Sequence, residues 1–209
     1  MASPPSNPPG STAAAPARAA RLFNVAMALT WARIAMIPVV VGIFYVPDGW
    51  YPAHWKNATA AWLFIVAALT DAFDGWVARR YGMQSRLGAF LDPVADKLMV
   101  CAALIVLLSL GRIDELVALV IIGREITVSA LREWMAQIGK SGSVGVNSLG
   151  KIKTIAQMVA IPMLLFHDRM FGVIDMQAIG TVLIYVAAVL TVHSMLVYLR
   201  KAWPHLRGR

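Results

Sequence analysis

Six long apolar stretches constrain the fold of this chain more than any other feature. Each approaches or reaches the roughly 17 to 25 residues that a helix needs to cross the hydrocarbon of a bilayer. A segment in lipid must satisfy its own backbone hydrogen bonds, and turn residues are confined to the gaps, so the pattern predicts helices. The stretches are 24–45, 60–78, 93–110, 116–134, 152–166 and 173–199.

The composition excludes an ordinary soluble domain. Hydrophobic residues make up 59% of the chain and charged residues 14%, which leaves too little polar surface to cover a protein of this length in water. We therefore predict an all-α, polytopic membrane protein with six transmembrane helices. The formal net charge of +8 does not indicate a nucleic-acid partner, because in a membrane protein the placement of the basic residues matters more than their sum.

The basic residues predict the orientation of the chain. Thirteen lysines and arginines fall on one side of the six stretches, whereas only Lys56, Arg112 and Arg169 fall on the other. By the positive-inside rule, both termini are cytosolic. The chain is expected to be an integral protein of the cell (inner or plasma) membrane. The expected organisation is a disordered tail rich in Ala, Pro and Ser over 1–20, a membrane domain over 21–201 and a basic tail over 202–209.

Four aspartates lie in one short window at the predicted cytosolic edge. Asp71 and Asp74 are three residues apart near the end of the second stretch, and Asp92 and Asp96 are four apart at the start of the third. Each pair therefore projects from one helix face. Asp92 is a plausible N-cap and Pro93 a plausible first helical residue, which gives the two pairs similar depths.

The aspartates predict a divalent metal site. Four carboxylates at the edge of a low-dielectric medium repel one another unless they are protonated or neutralised. Hard oxygen ligands suit Mg²⁺ or Mn²⁺, and no His or Cys lies nearby to favour zinc. Two alternatives stay open: helix caps or ion pairs with Arg79, Arg80 or Lys97, and an ion pathway of the kind that intramembrane carboxylates mark in transporters.

Small residues follow the first pair of aspartates. Gly75 lies one turn beyond Asp71, and Ala78 one turn beyond Asp74, so this face carries no bulk toward the cytosol. A ligand could approach the backbone there, or a neighbouring helix could pack closely. Gly88, in the expected connection, is interpreted as a turn residue, with ligand approach as the second interpretation.

The whole window forms a recognisable pattern. It reads D-x-x-D-G-x-x-A-R, eight residues, then G-x-x-x-D-x-x-x-D, from Asp71 to Asp96. This pattern resembles the signature of the CDP-alcohol phosphatidyltransferases. The resemblance implies a six-helix membrane protein, usually a homodimer, whose site opens to the cytosol.

The resemblance also implies a reaction and a set of roles. An acceptor alcohol attacks the lipid-side phosphate of a CDP-linked diacylglycerol and CMP leaves, with two metal ions among the aspartates. Asp96 would share in metal binding and serve as the general base. The implied metal ligands are Asp71, Asp74, Asp92 and Asp96, and the implied cytidine and phosphate contacts are Gly75, Ala78, Arg79 and Gly88.

The acceptor is suggested by two later stretches, 123–134 and 146–160. They are similar to the phosphatidylglycerophosphate synthases of this family, whose acceptor is glycerol 3-phosphate. Arginine and lysine side chains would give the acceptor phosphate a cationic seat. For Arg124, pairing with Glu125 or an aspartate is the alternative. Inositol phosphate, serine and phosphatidylglycerol remain rival acceptors. The candidate basic residues are Arg124, Arg132, Lys151 and Lys153.

The first helix resembles the family's opening N-x-P-N-x-L-T-x-x-R. Asn24, Leu29, Thr30 and Arg33 fit, whereas other residues replace the proline and the second asparagine. Thr30 and Arg33 are therefore candidates for contact with donor or acceptor phosphate. Helix capping and ion pairing are the alternatives.

Overall fold

Six α-helices make up the part of the fold that the structure describes. The structure, a computed structural model, describes residues 14–81, 86–139 and 148–206. Over these ranges, the prediction of an all-α fold with six long helices is confirmed. The elements are α1 (Ala14–Gly42), a 3-10 turn (Ile43–Tyr45), α2 (Ala53–Tyr81), α3 (Arg86–Ser109), α4 (Glu115–Gln137), α5 (Ser148–Phe166), β1 (Arg169–Met170), β2 (Ile174–Asp175) and α6 (Met176–Leu206).

A two-stranded hairpin between α5 and α6 was not predicted. Strands β1 and β2 are antiparallel, with Arg169 paired to Asp175. The turn between them contains Phe171 and Gly172 at φ of 55° and 72°, a left-handed conformation that a continuous helix does not contain. The last helix therefore begins at Met176, three residues later than the apolar stretch suggested.

The start of α3 differs from the prediction. The helix begins at Arg86, so Asp92 is not an N-cap, Pro93 lies inside the helix, and Gly88 is helical rather than a turn residue. An aspartate followed by proline is a typical helix start, but here the Asp92 carboxylate accepts a hydrogen bond from Thr30 of α1. A contact with another helix thus replaces the expected local cap.

The first and last helices run into the segments expected to be tails. Helix α1 begins at Ala14, inside the tail set at 1–20, and α6 continues to Leu206, inside the tail set at 202–209. Alanine is the strongest helix former, and the segment before the first apolar stretch is rich in it.

The core is built where all six helices meet. Helix α5 packs most extensively against α6, with further pairings of α1 with α3, α2 with α5 and α4 with α6. Gly180 of α6 allows close approach to α5, because a Cβ there would lie 2.9 Å from Leu164 Cγ and 3.2 Å from the Leu164 nitrogen. Buried members of the core include Phe64, Leu104, Leu107, Ile121, Ile161 and Ile184.

Large apolar side chains also cover the outside of the helices. Two segments are long and apolar enough to cross a membrane, Met27–Tyr45 and Met176–Arg200, among the residues that were searched. Only 17% and 33% of the residues in the apolar 18-residue window of each segment are buried inside the chain. The exposed apolar side chains include Trp62, Phe73, Phe90, Leu119, Ile126 and Val189.

Candidate active site

A buried arginine joins α1, α2 and α3. Arg33 on α1 is 1% exposed, and its Nη1 lies 2.7 Å from Asp71 Oδ1 on α2 and 2.8 Å from Asp96 Oδ1 on α3. One turn earlier on α1, the Thr30 hydroxyl donates a hydrogen bond of 2.7 Å to Asp92 Oδ1. Three of the four predicted aspartates therefore converge on α1, and the ion-pairing alternative for Arg33 is the arrangement found.

The acidic cluster consists of Asp71, Asp92 and Asp96 beside α1. Asp71 and Asp96 both reach one guanidinium nitrogen, so their oxygens lie close together, and carboxylate oxygens suit Mg²⁺ or Mn²⁺. Among the side chains that the structure describes, no group of three or more His, Cys, Asp or Glu is arranged to hold a metal ion. Asp74, one turn along α2 from Asp71, has its side chain outside that description.

A second cluster places two cations on one carboxylate. Glu125 Oε1 lies 2.7 Å from Arg124 Nη1 and accepts a hydrogen bond of 2.8 Å from Lys153 Nζ. Arg124 and Lys153 are 7% and 2% exposed. Because one negative charge faces two positive ones, the cluster keeps an excess positive charge. The alternative in which Arg124 pairs with Glu125 is found, and Lys153 shares the same carboxylate oxygen.

Helix α6 supplies polar partners to α4. Arg124 Nη2 donates to the Ser194 hydroxyl at 3.2 Å, and Arg132 Nη2 donates to the Tyr198 hydroxyl at 2.9 Å. The Arg132 guanidinium carbon also lies 5.2 Å from the centre of the Tyr198 ring, within the range of a cation–π contact. The two arginines of α4 are thus held from a different helix.

Two neighbouring cavities lie beside the clusters. The larger, about 640 Å³, has basic and acidic side chains on its wall, and the smaller, about 20 Å³, is lined in part by Arg33 and Asp71. Asp96 lines both cavities, together with Val100 and Met158. Asp96 therefore belongs both to the acidic cluster and to the lining of the larger cavity. The basic side chains of that lining, Arg124, Arg132 and Lys153, form a cationic wall. Charged residues lining the larger cavity are Asp96, Lys97, Arg124, Glu125, Arg132 and Lys153.

Comparison with known proteins assigns this constellation to a family. The family model of the CDP-alcohol phosphatidyltransferases matches residues 23–193, a span that includes all four aspartates and the basic residues of the cationic wall. The chain belongs to the CDP-alcohol phosphatidyltransferase family. Membership favours a transferase over the transporter alternative.

Three curated relatives of this transferase share one name, CDP-diacylglycerol–glycerol-3-phosphate 3-phosphatidyltransferase. The proteins from Shigella flexneri serotype 5b (strain 8401) and Escherichia coli (strain K12) are 46% identical to it over 182 residues. The protein from Salmonella choleraesuis (strain SC-B67) is 45% identical over the same length. In each pairing, the alignment covers 86% of this chain and 95% of the relative.

The predicted site residues of the transferase fall into two groups. The structure brings Thr30, Arg33, Asp71, Asp92 and Asp96 together, and it places Arg124, Arg132 and Lys153 around the adjoining cavity. Gly88 lies in α3, four residues before Asp92. The side chains of Asp74, Ala78, Arg79 and Lys151, and the surroundings of Gly75, lie outside the described part of the chain.

Sequence reasoning missed two polar contributors to the transferase site. Ser194 and Tyr198 lie in the last long apolar stretch, 173–199, for which the sequence predicted only a membrane helix. Their spacing of four residues puts them on one face of α6, and polar groups in an apolar helix usually face a protein interior or a cavity. That spacing was the available signal.

Proposed function

We propose that this transferase moves the phosphatidyl group of CDP-diacylglycerol to glycerol 3-phosphate, giving phosphatidylglycerophosphate and CMP. The observation that carries the proposal is the larger cavity, where the Asp96 carboxylate adjoins the side chains of Arg124, Arg132 and Lys153. A phosphorylated alcohol needs cations for its phosphate and a proton acceptor for its hydroxyl. The name of the curated relatives states the same donor and acceptor.

The chemical step is a displacement at phosphorus. The acceptor hydroxyl oxygen forms a bond to the lipid-side phosphorus, the bond from that phosphorus to the bridging diphosphate oxygen breaks, and CMP leaves with the electron pair. Asp96 takes the hydroxyl proton, since it borders the cavity where the acceptor binds. Arg124, Arg132 and Lys153 hold the acceptor phosphate and thereby orient the hydroxyl.

The four aspartates would hold two Mg²⁺ or Mn²⁺ ions. Bound ions of this kind neutralise the diphosphate and stabilise charge on the leaving group. Support comes from the convergence of Asp71, Asp92 and Asp96 on α1 and from their hard oxygen donors. Asp74 would complete the set from α2. Arg33 keeps Asp71 and Asp96 near each other.

The donor nucleotide would bind along α1, α2 and the start of α3. Gly75 and Ala78 would allow the cytidine close to α2, and Arg79 would bind phosphate. Support comes from the sequence pattern and from the packing of α1 against both α2 and α3. Thr30, Arg33 and Gly88 would complete this donor site.

The membrane arrangement is part of the proposal. The six helices would cross the cell membrane, with both termini and the site on the cytosolic side, and two copies would form a homodimer. Exposed apolar side chains on every helix and the two long apolar segments support a lipid environment. The distribution of lysine and arginine supports the orientation.

A second acceptor deserves the same test because it carries the same phosphate. Inositol phosphate would also suit the cationic wall, whereas serine has no phosphate to bind there. The experiment incubates the purified protein with CDP-diacylglycerol, Mg²⁺ or Mn²⁺ and each acceptor in turn, including phosphatidylglycerol, and measures CMP release. Glycerol 3-phosphate should give the fastest release, and a chelator should stop it until metal is restored.

The outcomes separate the parts of the proposal. No CMP release with any acceptor would contradict the enzymatic function. Release with inositol phosphate alone would change the acceptor but keep the chemistry. Full activity in the presence of a chelator would contradict the metal site and leave the acceptor assignment intact.

A further inference from the structure

Tyr198 of α6 has contacts that fix an arginine at the wall of the larger cavity. We propose that Tyr198 is a positioning residue that holds the Arg132 guanidinium there and so favours an acceptor that carries a phosphate. This inference rests on the proposed function, because it concerns the acceptor site of the same reaction. It assigns a role to α6, a helix that bears none of the residues predicted from the sequence.

Two different contacts define the position of the guanidinium. The Tyr198 hydroxyl accepts the hydrogen bond from Arg132 Nη2 at 2.9 Å, and the ring lies 5.2 Å from the guanidinium carbon. The hydroxyl takes one of five N–H donors, so the guanidinium keeps donors for a phosphate. An arginine held in place before its ligand arrives loses less conformational entropy on binding.

The surroundings make this contact well defined. Tyr198 is only 4% exposed, although it lines the same cavity as Arg132 and Lys153. One turn earlier on α6, the equally buried Ser194 accepts from Arg124. Both α6 residues lie beyond the span 23–193 that the family model matches, so the match itself assigns them no role.

The first test compares Tyr198→Phe with Tyr198→Leu. The Phe variant keeps the ring but loses the hydroxyl, so the KM for glycerol 3-phosphate should rise about two- to tenfold. The Leu variant also loses the cation–π contact and should raise it further. The KM for CDP-diacylglycerol and the Tm of the Phe variant should stay at wild-type values.

A matched control comes from the same helix. Tyr185 is a tyrosine of α6 whose hydroxyl donates to Asp114 near the other end of the bundle. Tyr185→Phe should leave the KM for glycerol 3-phosphate unchanged. A rise in both KM values in Tyr198→Phe, or the same rise in Tyr185→Phe, would show a merely structural role and overturn the proposal.

A double-mutant cycle tests whether Tyr198 acts through Arg132. In an Arg132→Gln background, Tyr198→Phe should cause no further rise in the KM for glycerol 3-phosphate. Independent, multiplying effects would contradict the proposal. The preference for glycerol 3-phosphate over glycerol, expressed as a ratio of kcat/KM, should fall in Tyr198→Phe.

A binding measurement separates this inference from the proposed reaction. Inorganic phosphate should raise the Tm of the detergent-solubilised wild-type protein, and it should raise that of Tyr198→Phe less. If the wild type released no CMP with glycerol 3-phosphate but showed this difference, the reaction would be wrong and the positioning role would stand. An equal rise in both proteins would contradict the positioning role, whatever the turnover.

Discussion

The two ends of the helix bundle use their charges in different ways. After the C-terminus of α3, Arg112 donates to the carbonyls of Leu164 and Leu165 at 3.0 and 2.7 Å and to Asn57 Oδ1 at 2.7 Å. Those carbonyls belong to the last turn of α5, where no intrahelical donor is available. This cation binds two backbone carbonyls and one side-chain oxygen, and it thereby stabilises a helix end.

At the opposite end of α3, the charges face cavities. Arg33 contacts two carboxylates, and Glu125 serves both Arg124 and Lys153. None of these groups caps a helix through the contacts described here. At one end, a half-buried charge with backbone partners contributes to stability, whereas at the other end charges that share side-chain partners line cavities.

The largest expected effect comes from the acid between the two cavities. Asp96→Asn should lower turnover by at least about a hundredfold, because an amide cannot accept the hydroxyl proton. Folding should persist, since Arg33 keeps its contact with Asp71. CMP release measures the loss of turnover, and Tm measures whether the fold persists. Asp48→Asn, which changes the partner of Lys56 at the opposite end, is the control and should keep full turnover.

At the Arg112 end, the expected effect is on stability alone. Arg112→Gln removes charge-assisted hydrogen bonds to the end of α5, so the free energy of unfolding should fall by about 2 to 4 kcal/mol. The KM for glycerol 3-phosphate should not change. Thermal unfolding in detergent and steady-state kinetics test the pair of expectations. A change in KM without a loss of Tm would break the contrast between the ends.

Lys153→Met tests the opposite expectation at the cavity, namely a change in KM without a large loss of stability. It removes one cation but leaves Glu125 paired with Arg124, so no carboxylate is left without a partner. The KM for glycerol 3-phosphate should rise about ten- to a hundredfold, as expected for the loss of a charged phosphate contact. The KM is measured from CMP release at increasing concentrations of glycerol 3-phosphate. A fall in Tm as large as that of Arg112→Gln would place Lys153 among the structural charges instead.

The smallest expected effect is a pH dependence near Arg112. Burial lowers the pKa of His167 from its usual 6.5, and the charge of Arg112 lowers it further, although Asp168 and Asp175 oppose this. A lowered pKa means that neutral His167 stabilises the fold above about pH 6.5 and that this contribution is lost as the pH falls.

His167→Asn should therefore flatten the decline of Tm between pH 7.5 and pH 5.5. Asparagine also tolerates the positive φ of 63° at this position. Thermal unfolding across that range checks the slope. His54→Asn removes another histidine from the same end and serves as the control. An unchanged slope in His167→Asn would mean that other groups cause the decline.

The sequence predicted the helices well because apolar runs of spanning length leave few alternatives. It predicted the start of α3 poorly, since Asp92 and Pro93 form a local cap signal that a contact with Thr30 overrides. The family pattern located the aspartates, but it did not say which of them Arg33 would contact. Several carboxylates lie within reach of one long side chain, and only packing decides among them.

The spacing of Ser194 and Tyr198 put them on one face of α6, but it did not show what that face contacts. A serine and a tyrosine in an apolar helix are compatible with packing, lipid contact or a site, and periodicity does not choose among these. The choice depends on how α6 is rotated against α4, which is a property of the whole bundle. Ser194 and Tyr198 were therefore found only through their contacts with Arg124 and Arg132.

Asp96 lines both cavities, so one substitution at this position changes the polarity of two cavity linings at once. A single variant therefore reports on the acidic cluster and on the cationic wall together, and the two can be separated only by pairing it with variants that touch one lining alone.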